Sequence, residues 1–233
     1  MILLAYYNRP KTVRLALESV KAQDYEDWEL VVVDDSSVCP VDPIIKDVFG
    51  VESRVKIFNT NDSDEEKIAR GGSNFGRYWN DAVMQSSANV ALMLCDDDAL
   101  YPGYLKKINS FYARNHEIHY SYSHVSIFDP SVTESIELIT DNFDHKLNKH
   151  TGLINPFHQV DASQVSWRIS AFKVNNIKFP YPQTIALDAS LFTQLFNMYG
   201  PCPFNGLVSQ YKGWFHGQLG KRDFSYGKLE DSS

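Results

Sequence analysis

Trp28-Glu29-Leu30-Val31-Val32-Val33-Asp34-Asp35-Ser36-Ser37 decides the fold. Leu30 to Val33 run without polar alternation, the pattern of a parallel strand covered on both faces. Asp34 and Asp35 stop the run abruptly. Two further stretches repeat this design. Ile2 to Tyr6 is a short apolar run closed by Tyr7-Asn8-Arg9-Pro10, and Asn89 to Leu94 is an apolar run closed by Cys95-Asp96-Asp97-Asp98. Between them lie helical stripes. Pro10 suits the first turn of a helix, and Val13, Ala16, Leu17 and Val20 follow at helical spacing. Phe75, Trp79, Ala82 and Val83 make a second stripe, and Leu105, Ile108, Phe111 and Tyr112 a third after Pro102.

Further elements fill the same rhythm. A short helix is expected over Asp42 to Phe49, and strands over Arg54 to Phe58 and His119 to Phe128. Strand and helix alternate, which implies right-handed crossovers and an α/β fold with a mostly parallel central sheet, helices on both faces. Ligands of such sheets bind beyond the carboxyl ends of the strands, where both acidic clusters fall. Asn59 to Ser73 is polar and ends in Gly71-Gly72-Ser73, which reads as a flexible loop before a helix N-cap or as backbone that approaches a phosphate. The second half is less regular. Asp129 to Pro156 reads as a hairpin or an insertion, Gln159 to Phe172 as strand-like, Leu187 to Met198 as a helix and Asn205 to Phe215 as strand-like. The expected division is 1–128, a regular α/β half; 129–220, a less regular half of the same domain; and 221–233, a polar tail.

Composition narrows the function classes. The 233 residues carry 22 Lys and Arg against 29 Asp and Glu, a net charge of −7, so whole-surface attraction to nucleic acid or anionic lipid is not expected. The three cysteines, Cys39, Cys95 and Cys202, have neither disulfide-framework nor zinc spacing. The apolar run Met1 to Tyr7 is too short for a signal peptide or a membrane span. The expectation is a cytoplasmic protein, soluble or recruited peripherally to a membrane. Three adjacent carboxylates at a strand end repel one another and invite a hard divalent cation, Mg²⁺ or Mn²⁺. Of Asp34 and Asp35, one can accept a uracil imide N–H while the other caps the next helix. Tyr7 is placed to stack on a base.

Taken in order, these pieces resemble the family 2 glycosyltransferases of the GT-A fold. The matching residues are Tyr7-Asn8-Arg9; Ser19 with Gln23; Glu29-Leu30 through Asp34-Asp35-Ser36-Ser37; Asn74, Gly76 and Asn80; and Asp96-Asp97-Asp98 followed by Pro102. The resemblance implies transfer of a sugar from a nucleotide-sugar, with a UDP-sugar the expected donor, and a metal-dependent, inverting mechanism. It implies that Asp35 reads the uracil imide, that Ala5 and Tyr7 contact the nucleoside, and that Asp96 takes the ribose side. Asp97 or Asp98 holds the metal. Arg9, Asn74, Arg77 and Asp97 join the nucleotide-sugar contacts. The catalytic base is expected at Asp188 at the start of a helix, with Asp161 the next candidate. His216 is a candidate ligand of metal or diphosphate, and Lys212, Lys221 and Arg222 are candidate neutralising charges. Trp167 and Arg168 are assigned to an acceptor groove.

The sequence departs from the family pattern at three places. Ala5-Tyr6 stand where Pro-Thr is common, Tyr78-Trp79 where Ala-Arg is common, and the Glu usual before the catalytic Asp is absent at Leu187. That last departure sustains one alternative, a nucleotide-sugar-binding module without catalysis. A nucleotidyltransferase is the other, but Tyr7-Asn8-Arg9-Pro10 does not resemble the Gly-rich basic loop that class carries. A glycan, a lipid-linked or protein-borne acceptor, a small metabolite and a hydroxyl on a modified base all stay open as acceptors.

Overall fold

The computed structural model describes residues 1–157, 159–181 and 187–214. Among the described residues, eight strands form one sheet. They are β1 (Ile2–Tyr6), β2 (Leu30–Asp34), β3 (Val55–Asn59), β4 (Val90–Cys95), β5 (Ala99–Leu100), β6 (Tyr120–Phe128), β7 (Val165–Arg168) and β8 (Phe204–Gly213), in the order β3-β2-β1-β4-β7-β6-β8-β5. Pairs β1–β2, β2–β3, β1–β4 and β6–β8 are parallel, whereas β7 opposes both its neighbours and β5 opposes β8. The sheet is therefore mixed, with β5 and β7 reversed. Both sequence halves contribute to it, because β7 pairs with β4 of the first half.

Register fixes where the chemistry sits. Tyr6 lies opposite Asp34, and Ala5 opposite both Val33 and Cys95. The residues that follow, Tyr7, Asp35 and Asp96, therefore emerge side by side at one edge. Alternate strand residues point to opposite faces, and each face has its own core. Ile2, Leu4, Val32 and Leu94 pack against α1 (Pro10–Lys21), α2 (Asp42–Phe49) and α5 (Tyr104–Arg114). Leu3, Val31, Val33 and Met93 pack against α4 (Phe75–Gln85), α6 (Ile169–Asn175) and α7 (Leu187–Tyr199). Full burial of one such aliphatic side chain contributes about 1.5–3 kcal/mol.

Three expectations change. The loop over 59–73 contains a helix, α3 (Asp64–Arg70), which buries no residue. A capping box holds it: the Ser63 hydroxyl accepts from Glu66 N, and the Glu66 carboxylate accepts from Ser63 N. Gln159 to Phe172 is not one strand. A 3-10 turn at Ala162–Gln164 leads into β7, and α6 starts at Ile169. The 129–156 segment is not a hairpin. It holds two single 3-10 turns, Ile136–Leu138 and Lys146–Asn148.

Ser19 and Gln23 serve the fold. The Ser19 hydroxyl accepts from Leu100 N at 2.8 Å, and Gln23 accepts from Leu105 N and donates to Tyr101 O, each at 3.2 Å. Together they tie α1 to the chain leaving the acidic turn.

Candidate active site

A cleft of about 760 Å³ opens at the carboxyl edge of β1, β2 and β4. One wall carries Ala5, Tyr7, Arg9, Asp35, Asp96 and Asp97. A second wall, built from the second half of the chain, carries Asp161, Asp188 and Lys212, and Leu147, Phe157, Phe192 and Trp214 add apolar surface. Residues far apart in sequence thus meet in one place.

The acidic turn is held by two cations. Arg9 Nη1 lies 2.9 Å from Asp96 and 3.0 Å from Asp97. Asp96 also accepts from Tyr7 N at 3.1 Å. Burial outweighs the Arg9 charge and pushes the Asp96 carboxyl up to about 6. Asp98 is wholly buried and accepts from Lys212 Nζ at 3.1 Å and from Gly213 N at 2.8 Å. Lys212 also lies 3.1 Å from Asp161. Burial opposes the Lys212 charge, but the flanking carboxylates outweigh it and hold the ammonium well above its ordinary range.

Five carboxylates therefore gather here, Asp96, Asp97, Asp98, Asp161 and Asp188, against Arg9 and Lys212. Burial raises the proton affinity of Asp96, Asp98 and Asp188, and a divalent cation would offset this by favouring their ionised forms. The ligand atoms of Cys95, Asp97 and Asp98 all lie within 4.8 Å of one another. Burial pushes the Cys95 thiol well above its ordinary range, so it stays neutral. The hard oxygen donors of the set suit Mg²⁺ or Mn²⁺.

At the first wall, Asp34 and Asp35 divide their work. Asp34 is fully buried and accepts from Ser37 N at 2.8 Å and Val41 N at 2.9 Å, closing the turn into α2. Asp35 faces the cleft. Its Oδ1 accepts from Thr60 Oγ1 at 3.2 Å and Ser73 Oγ at 2.7 Å, and its Oδ2 lies 3.3 Å from Lys67. Lys67 also sits 4.7 Å from the centre of the Tyr7 ring. Sequence reasoning missed Lys67 because α3 has no apolar stripe to announce it.

At the second wall, two acids differ in their surroundings. Asp161 caps the 3-10 turn before β7, accepting from Ser163 N at 3.0 Å. Burial works against its charge, but Lys212 and Ser163 outweigh burial and hold its carboxyl below the ordinary range. Asp188 lies in the first turn of α7. Burial pushes its carboxyl up and the Asp161 charge adds to that, against a hydrogen bond of 2.8 Å from Ala189 N. Of the two, Asp188 is the acid with the stronger hold on a proton.

The remaining residues singled out in the sequence fall elsewhere. Trp167 is fully buried against Phe172 and Phe179, so its ring cannot line an acceptor groove. Arg168 donates to the carbonyls of Tyr112, Asn115 and Ile118 and fastens α5 to β7. Asn74 stands at the N-cap position of α4 without a side-chain cap bond, Arg77 lies exposed in the first turn of that helix, and neither lines the cleft. Gly71, with φ of +84°, ends α3 as a left-handed cap. His216, Lys221 and Arg222 lie outside the described residues.

A parallel-centred sheet with an acidic turn at its carboxyl edge defines the GT-A class of nucleotide-diphosphate-sugar folds. The chain belongs to glycosyl transferase family 2, whose model matches residues 1–168. Solved structures agree on the fold. TarS 1–349 of S. aureus in complex with UDP-GlcNAc is 20% identical with a TM-score of 0.69, covering 93% of this chain and 59% of that one. Its complex with UDP is 18% identical with a TM-score of 0.70, over 91% and 60% of the two chains. The mannosyltransferase PcManGT of Pyrobaculum calidifontis, in complex with GDP-Man and Mn²⁺, is 12% identical with a TM-score of 0.59, over 89% and 55%. This chain thus spans less than two thirds of the proteins it resembles. No curated protein sequence matches it. Among the described residues, no helix is long and apolar enough to cross a membrane.

Proposed function

We propose that the chain is a glycosyltransferase that moves a sugar from a UDP-sugar to an acceptor hydroxyl, with a divalent cation and inversion at the anomeric carbon. The observation that carries this reading is one cleft lined by Tyr7, Asp35 and Asp96 from the first half of the chain and by Asp188 from the second. The solved TarS complexes with UDP and UDP-GlcNAc support the choice of donor by likeness of fold.

Each residue has a definite task. Asp35, oriented by Thr60, Ser73 and Lys67, accepts the uracil imide N–H. Tyr7 offers a ring to the base, and Asp96 accepts from a ribose hydroxyl. Asp97, with Asp98 behind it, would hold Mn²⁺ or Mg²⁺, which supplies positive charge to the departing diphosphate. Arg9 adds a fixed positive charge at the same edge. Asp188 removes the acceptor hydroxyl proton as that oxygen attacks the anomeric carbon. The bond from that carbon to the phosphate oxygen breaks, and its electron pair leaves with UDP. A base with raised proton affinity suits this step, provided it is ionised.

The test is UDP release from a panel of UDP-sugars with Mn²⁺, water serving as the acceptor. Slow release supports the enzyme. UDP binding without release favours the binding module, and faster release from a GDP-sugar overturns the uridine reading.

A further inference from the structure

Asn80 belongs to a sequence motif to which the cleft assigns no task. It lies on α4, buried and away from the cleft lining. Its carboxamide makes two hydrogen bonds with one backbone residue: Asn80 Nδ2 donates to Phe179 O at 2.9 Å, and Phe179 N donates to Asn80 Oδ1 at 2.9 Å. The preceding residue is held in the same way by a second carboxamide. Gln194 Nε2 donates to Lys178 O at 2.8 Å, and Lys178 N donates to Gln194 Oε1 at 3.1 Å. Gln194 lies on α7, the helix whose first turn carries Asp188. Two carboxamides, one from α4 and one from α7, thus grip adjacent residues, each pairing with a backbone N–H and C=O as a neighbouring strand would. Gly76, one helical turn before Asn80, lets the segment approach. A Cβ there would lie 2.5 Å from the Pro180 carbonyl oxygen.

We propose that Asn80 and Gln194 are positioning residues. Through Lys178-Phe179 they lock α7 to α4 and so set Asp188 against the donor wall, with Gly76 giving the room for it. The proposal deepens the functional reading above and rests on Asp188 being the base. The physical warrant is the backbone account of Phe179. Its N–H and C=O are buried, Asn80 satisfies both, and no hydrophobic side chain can do so. The two amides are also the direct polar links from the dipeptide to α4 and α7, while apolar packing of Phe179 on Trp79 fixes distance more than register.

The test uses the full chain with Gln194→Leu, Asn80→Leu and Gly76→Ala. Gln194 makes its bonds at an exposed site, so Gln194→Leu remains informative if the buried Asn80→Leu fails to fold. Amide hydrogen exchange is read in 175–181 and 187–199. The expected result is exchange faster by about tenfold in both stretches, with β1, β2 and β4 unchanged. For UDP release, kcat should fall by about 10²-fold, the usual effect of an ångström-scale misplacement. UDP affinity should stay within about twofold. In an Asp188→Asn background, Gln194→Leu should add little further loss, since a misplaced base and an absent base are the same defect. Unchanged exchange in α7 overturns the clamp. So do parallel losses of kcat and UDP affinity, or losses that multiply with Asp188→Asn. A wild-type protein that releases no UDP defeats the functional reading instead, and the exchange comparison still decides the clamp.

Discussion

Replacing Asp188 by Asn separates catalysis from stability in opposite directions. Asn keeps the size of the side chain and an oxygen to accept from Ala189 N, now at 2.8 Å. It cannot take a proton. If Asp188 is the general base, kcat for UDP release falls by about 10²–10⁴, or about 2.7–5.4 kcal/mol in the barrier at 1.36 kcal/mol per decade. The stability change has the other sign. Burial and the Asp161 charge raise the Asp188 pKa in the folded protein. A carboxyl with a raised folded pKa favours folding while protonated, and that contribution is lost as pH rises through the folded value. Once ionised, the group opposes folding, and Asn removes that charge. The melting temperature of Asp188→Asn should therefore equal or exceed that of wild type at pH 7–8, and the difference should narrow toward pH 4. UDP affinity should hold, since Tyr7, Asp35 and Asp96 are untouched. The assay is steady-state UDP release with Mn²⁺, paired with melting curves across pH. A variant of near wild-type rate refutes the base assignment. A variant that loses rate only because it melts earlier refutes the electrostatic argument.

Further outcomes follow from the same geometry. Gly213→Ala should lower the melting temperature and weaken Mn²⁺-dependent UDP binding, because a Cβ there would sit 2.1 Å from the Asp97 carbonyl oxygen; calorimetry of the variant checks both. Asp97→Ala should remove the Mn²⁺-dependent part of UDP binding, and EDTA should abolish it in wild type; UDP release unaffected by EDTA would end the metal assignment. Asp35→Ala should erase the preference for UDP over CDP, read as melting shifts with each nucleotide. Asp161 is held below the ordinary carboxylate range, so its contribution to stability is present above its unfolded pKa and lost as pH falls through the folded value. Asp161→Asn should flatten that acid limb.

The first half of the fold was legible because its strands are buried on both faces and read as unbroken apolar runs. Leu30 to Val33 is the plainest case. β7 was not legible as a separate strand for a physical reason. Gln164 and Ser166 are polar yet fully buried, because Tyr112 and Ser121 hydroxyls bond Ser166 and Gln164 donates to Ser123 O. A buried polar network erases the pattern that marks a core strand. α3 escaped notice because its capping box, not an apolar face, holds it. At the site, Asp35 and the acidic turn were legible because carboxylates at apolar strand ends stand out. Trp167 was misassigned because a core tryptophan and a sugar-stacking tryptophan look alike in sequence. The partners of Asn80 and Gln194 are backbone atoms, which carry no sequence signal at all.

Calorimetric titration of UDP into the wild-type chain with Mn²⁺, repeated with GDP, tests the central claim most directly. The account predicts one UDP per chain, with GDP weaker by about tenfold or more, the worth of one well-placed buried hydrogen-bond partner. No UDP binding in the presence of Mn²⁺, or tighter binding of GDP, would contradict it.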